Sequence, residues 1–147
     1  DHYFDKMSVH SSIYRFAYFI QSDGALAWSS LMGPEDTYGS ECDHAEKPKL
    51  SIEQIHLRTE RQTLRRLPRT GAILFTLHPY VTPITDLGEE PGIPGRLASA
   101  IRSWPEDVEQ YRRSANYKDL VLEYLDRKHQ EQLDHGLKYD TTDTYPY

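Results

Sequence analysis

The chain has a single cysteine, Cys42, among its 147 residues. No intrachain disulfide can form, and a reducing compartment such as the cytoplasm is expected. No stretch approaches the roughly 18 consecutive apolar residues that a membrane-spanning helix needs. Apolar residues make up only 37% of the chain, enough for the thin core of one domain. Gly-rich phosphate loops, a Gly-x-Ser-x-Gly elbow, an HExxH motif and a CxxC pair are all missing. The common nucleotide, hydrolase and zinc-protease readings are thereby set aside. Positive charge is short as well: 17 Lys+Arg face 23 Asp+Glu, a net of −6. Such a chain lacks the extended basic face of a nucleic-acid binder. The opening Asp1-His2-Tyr3-Phe4-Asp5 carries no initiator Met and no signal-like apolar run, and reads as the interior of a longer fold.

Five of the 17 basic residues gather in one place. The run from Leu57 to Gly71 holds Arg58, Arg61, Arg65, Arg66 and Arg69 against one acid, Glu60. Guanidiniums present forked donors suited to carboxylates and phosphates, so an anion clamp is one reading of this run. A solvated or structural ion-pair cluster is the other.

Ile13–Ile20 is β-branched and aromatic, the composition of a strand, with Ile13, Arg15, Ala17 and Phe19 on one face. Asp23-Gly24 marks a turn, and Gly33–Lys49 reads as a polar loop. Ser51–Arg58 reads as a second strand. Thr59-Glu60-Arg61-Gln62 matches a capping box and predicts a short helical turn from Glu60 to about Arg66, stopped by Pro68. A continuous strand through Leu64 is the alternative, with Arg58, Glu60 and Gln62 on one face. Gly71–His78 is nearly all apolar and predicts a central strand whose pairing weakens at Pro79 and Pro83. Thr85–Pro94 reads as a loop. Three helices are then expected: one opened by Pro94, with Leu97, Ile101 and Trp104 at helical spacing; one after Ser103-Trp104-Pro105; and one from Tyr117 to His135, capped by Asn116 and ended by Gly136. Strands first and helices later indicate an α+β fold with an antiparallel sheet. Residues 1–135 are expected to form the C-terminal part of a single domain, and 136–147 a polar, flexible tail.

Among the seven histidines, His56 and His78 fall inside predicted strands and are the candidates for a metal ligand or general base, against a structural role. Cys42-Asp43-His44 offers too few ligands for a zinc site. Tyr14, Phe16, Tyr18, Phe19 and Phe75 would line a sheet, as core or as a pocket for a flat cofactor.

The stretch Arg58-Thr59-Glu60-Arg61-Gln62-Thr63-Leu64-Arg65-Arg66-Leu67-Pro68-Arg69-Thr70-Gly71-Ala72-Ile73-Leu74-Phe75-Thr76 resembles the signature of the haem-dependent oxidative N-demethylase α-subunit-like family, which has many fungal members. Phe4-Asp5-Lys6, Arg15–Asp23, Tyr80–Ile84 and Tyr117-Lys118 extend the resemblance over residues 3 to 118. It implies a PAS-like fold holding haem b, completed by an N-terminal portion of the same domain on this or a separate chain. It also implies oxidation of a small amine to the demethylated amine and formaldehyde, with electrons from a reductase partner carrying flavin and iron–sulfur centres. By that resemblance Arg58, Arg61, Arg66 and Gln62 are candidates for haem-propionate or pocket contacts, and Glu60 and Tyr80 for catalysis. A haem- or ligand-holding sensor module without turnover is the alternative function. Two departures stand out: the family's Asn-Trp is Ala17-Tyr18 here, and its Ile-Arg-Thr is Leu77-His78-Pro79. If those family residues touch substrate, this protein handles a different one.

Overall fold

The computed structural model describes residues 2–26, 50–111 and 114–137. The expected loop over 33–49, the Cys42-Asp43-His44 group and residues 138–147 of the polar tail lie outside them. A short helix α1 (His2–Asp5) precedes strand β1 (Ile13–Gln21). After a 3-10 turn at Ile52–Gln54 come β2 (His56–Arg66) and β3 (Ile73–Pro83), and then α2 (Ile84–Glu89), α3 (Ile93–Arg102), α4 (Glu106–Tyr111) and α5 (Lys118–Asp134). The strands form one antiparallel sheet in the order β1-β2-β3. The fold is α+β, with the helices C-terminal to the sheet, as the order of sequence patterns indicates.

The arginine run departs from its predicted helical turn. β2 continues unbroken to Arg66, paired on both sides: Arg61, for example, lies between Phe16 and His78. Two neighbouring ladders outweigh the single local cap that Thr59 and Gln62 offered, because a central strand satisfies its backbone on both edges. The capping arrangement occurs one segment earlier, where the Ser51 N–H donates to Gln54 Oε1 at 3.0 Å and closes the 3-10 turn. The predicted strand over Ser51–Arg58 therefore begins only at His56.

β2, not β3, is the central strand. β3 is an edge, and Leu74, Phe75, Thr76 and Leu77 are exposed along it. Pairing does not weaken after His78: it runs on through Glu60↔Pro79 to His56↔Pro83. An edge strand turns alternate N–H groups away from its neighbour, and residues four apart share that orientation. Both prolines are thereby accommodated without a lost bond. The predicted loop over Thr85–Pro94 instead contains α2, which buries Ile84, Leu87 and Gly88.

The core lies at one end of the sheet. Ile20 packs there with Ile55, Ile84, Ile101, Trp104, Val121 and Leu125. Tyr18 and Leu57 join from the same side of the sheet, and the Trp104 Nε1–H donates to Tyr18 Oη at 2.7 Å. Helices form in the three segments predicted for them: α3 carries Pro94 in its first turn, and Gly136 ends the last segment at a φ of 84°. Asn116 does not take the predicted cap position: it closes a 3-10 turn over Ser114–Asn116, and Tyr117 takes the N-cap position of α5 without a side-chain cap. The helices leave the other end of the sheet uncovered, so Tyr14 and Phe16 are 67% and 59% exposed, not core.

Candidate functional site

Strand alternation divides the predicted site residues between the two sides of the sheet. Arg58, Glu60, Gln62 and Arg66, with His56, face one side. Arg61 faces the other, next to His78, and Tyr80 follows two residues on with its ring stacked on His78 at 4.7 Å. Glu60 and Tyr80, both read as catalytic candidates, are thus separated by the sheet. One planar ligand can reach one set or the other.

The Glu60 side carries a continuous polar ladder. Arg58 Nε donates to Glu60 Oε1 at 2.7 Å, and Gln62 Nε2 donates to Glu60 Oε2 at 2.9 Å. Arg15, from β1, donates through Nε to Gln62 Oε1, so Gln62 links the two. Glu60 and Gln62 are buried at 7% and 5% exposure. A buried carboxylate demands partners for its charge and lone pairs, and the ladder supplies both. Its cross-strand neighbours supply neither: Ala17 lies on one flank and Pro79 on the other. Both lie within the two stretches, Ala17-Tyr18 and Leu77-His78-Pro79, where the sequence departs from the pattern that it otherwise resembles.

The arginines differ in what their charge meets. Arg58 is paired with Glu60 and also donates to the Leu26 carbonyl at 2.5 Å. Arg66 is spent on backbone: Nε reaches the Met7 carbonyl at 2.8 Å, Nη1 the Gly71 carbonyl at 2.9 Å, and Nη2 the Phe4 carbonyl. It clamps the N-terminal segment onto the end of β2. Arg61 and Arg65 are exposed on the opposite side, with no hydrogen-bond or ion-pair partner among the described residues. Arg15 is a residue the sequence reading did not single out as a site. It sits over the Phe75 ring at 5.7 Å, and its hydrogen bond goes to a neutral amide. Its position on the Ile13, Arg15, Ala17, Phe19 face was legible, but its meeting with Gln62 depends on strand register.

His56 and His78 occupy opposite sides, so they cannot share a metal. The His56 Nδ1 lies 2.9 Å from the Gln54 carbonyl, which as a donor leaves Nε2 with its lone pair. Among the described residues no group of three or more His, Cys, Asp or Glu side chains is placed to hold a metal ion. No helix among them is long and apolar enough to cross a membrane. A shallow cleft of about 260 Å3 lies elsewhere, lined by Glu89, Pro91, Gln132, His135, Gly136 and Leu137.

A haem asks of its surroundings an apolar bed and cations for its two acid groups. The ladder side has these residue types side by side: Phe75 and Leu77 are each 45% exposed, next to the guanidinium of Arg15. The donor set fits the acid-bearing edge of that group.

Comparison with protein families agrees with the sequence pattern. The model of the family described as haem-dependent oxidative N-demethylase, alpha subunit-like, matches residues 1–122. The chain belongs to this family.

Proposed function

From membership in this family and the buried Glu60 ladder, we propose that the chain is a component of a haem-dependent oxidoreductase acting on a small organic substrate. Oxidative N-demethylation of an amine is the reaction proposed, with the sheet side bearing Arg58, Glu60 and Gln62 as the wall that faces the ligands. The observation that carries the reading is a carboxylate, Glu60, buried and held from both sides in the middle of a sheet face, between the apolar Ala17 and Pro79. Charged groups are rarely kept so without a task or a strong structural partner.

Haem b, when bound, supplies the oxidising iron. This chain's residues do the remaining work. Arg58 fixes one oxygen of Glu60, and Gln62 fixes the other. The remaining lone pairs of Glu60 accept from an N–H of an amine and orient it. Ala17 and Pro79 offer no competing hydrogen bond on either flank, so an amine carrying apolar substituents suits the site better than a strongly polar one. Of the two histidines, His56 shares this side and is the residue of this chain that would hold the haem iron. Arg61, His78 and Tyr80 form a second set beyond the reach of a ligand here. The fold is proposed to be PAS-like and completed by an N-terminal portion, with electrons delivered by a flavin and iron–sulfur reductase partner.

The test is an absorption spectrum of the full-length protein, followed by turnover with oxygen and a reductant. A Soret band with formaldehyde release, and a Glu60→Gln variant that keeps the band but loses most turnover, is the expected result. A Soret band without turnover under any reductant would instead favour a ligand-holding sensor module. No haem uptake would sink both.

A further inference from the structure

Charge along the ladder does not balance. Arg58 and Glu60 form a pair at 2.7 Å, and Gln62 is neutral; among the described residues Arg15 and Arg66 are then the cations of this side without an anion, and Arg66 spends its donors on three backbone carbonyls, which leaves Arg15. Among the described residues Arg15 meets no carboxylate: Nε donates to Gln62, and the guanidinium lies 5.7 Å above the Phe75 ring. These two contacts hold the guanidinium plane in place while using one of its five donors. The side chain is exposed, beside Phe75 and Leu77, each 45% exposed. A fixed, unpaired guanidinium at the edge of an apolar surface is the arrangement that binds a carboxylate through a forked pair of hydrogen bonds.

We propose that Arg15, held by Gln62 and Phe75, is a carboxylate-binding site, and that it takes the acid group of the ligand on the ladder side. The proposal rests on reading that side as the ligand-facing wall. It shifts the anion anchor away from the arginine run. Arg58 is already neutralised, Arg66 is engaged by three carbonyls, and Arg61 faces the other way. The same chemistry serves a cofactor propionate or a carboxylate on the substrate.

Two arms of one experiment on the full chain separate these sources. In the first, haemin and its dimethyl ester, whose acid groups are blocked, are titrated into wild type, Arg15→Ala and Arg61→Ala. If the acid is a propionate, wild type and Arg61→Ala bind haemin about tenfold more tightly than the ester, and Arg15→Ala loses that preference. In the second, the Arg15 Nε–Hε resonance, identified by its disappearance in Arg15→Lys, is followed during titration with propionate and with propanamide. A saturable shift with propionate alone supports the site even where haemin does not bind; the acid is then the substrate's, and the haem reading fails separately. An unmoved resonance, together with a haemin preference that is absent or survives in Arg15→Ala, overturns the proposal.

Discussion

Ala17 lies directly across from Glu60 in the β1–β2 register. The buried carboxylate therefore takes its hydrogen bonds from Arg58 and Gln62, two residues away on either side along its own strand, and not from the neighbouring strand. Its position depends on one cation and one amide.

That dependence predicts an asymmetry. Arg58→Met leaves an ionised carboxylate buried without its cation and should cost about 3 kcal/mol in urea denaturation. Glu60→Gln removes the buried anion but turns its amide nitrogen toward one of two donors, while Arg58 keeps the Leu26 carbonyl, and should cost about 2 kcal/mol. In the Arg58→Met, Glu60→Gln double variant the two losses should be clearly less than additive. Additive losses would mean that the two side chains do not depend on each other.

Arg66 makes a different prediction. Its bonds to the carbonyls of Phe4, Met7 and Gly71 tie α1 and the β2–β3 connection to the sheet. Arg66→Met should lower stability by about 2 kcal/mol and accelerate amide exchange in residues 3–8 while the α5 amides remain protected. Unchanged exchange near Met7 would show that the clamp does not hold this segment.

Gly88 is pressed against Tyr124: a Cβ there would sit 2.5 Å from Tyr124 Oη and 2.8 Å from Cε1. Gly88→Ala should cost about 2 kcal/mol through overpacking between α2 and α5. Combining it with Tyr124→Phe should recover part of that loss, since the nearest atom is then gone. A thermal melt of the four variants measures the coupling.

Lys128 joins the same two helices, reaching Glu89 at 2.6 Å and Glu131 at 3.1 Å. The hydrogen bonds that Lys128 donates to Glu89 and Glu131 raise its pKa, and the bond from Lys128 lowers that of Glu131. The Glu131 contribution is therefore complete above the ordinary carboxylate value of 4.5 and is lost as pH falls through the depressed one. The Lys128 contribution is complete below 10.5 and is lost as pH rises through the elevated value. Wild type and Lys128→Met should differ in melting temperature at neutral pH and converge in acid, with 1 M salt narrowing the gap throughout. A constant gap across pH would point to packing of the lysine stem instead.

The strands and helices were largely legible because their patterns are local. Val121, Tyr124 and Leu125 recur at helical spacing and are buried in α5. The errors arose where a local signal competed with a distant partner. Thr59 and Gln62 satisfy a helix cap on paper, but Gln62 is drawn between Glu60 and Arg15, the latter 47 residues away in sequence. Leu74, Phe75 and Leu77 have the composition of a buried strand, yet among the described residues no layer covers them at the edge they occupy.

By itself, the sequence determined the family, the α+β order of elements and, once Leu57–Arg66 is read as a strand, that Arg58, Glu60 and Gln62 share a side. Side-chain alternation has a period of two and needs no partner to be read. Only the tertiary structure decided which guanidinium on that side keeps most of its donors free among the described residues. Arg58 is paired with a neighbouring carboxylate and Arg66 has its donors engaged by the backbone of a remote segment, while Arg15 arrives from another strand, and strand register is settled by pairing and burial far apart in the chain.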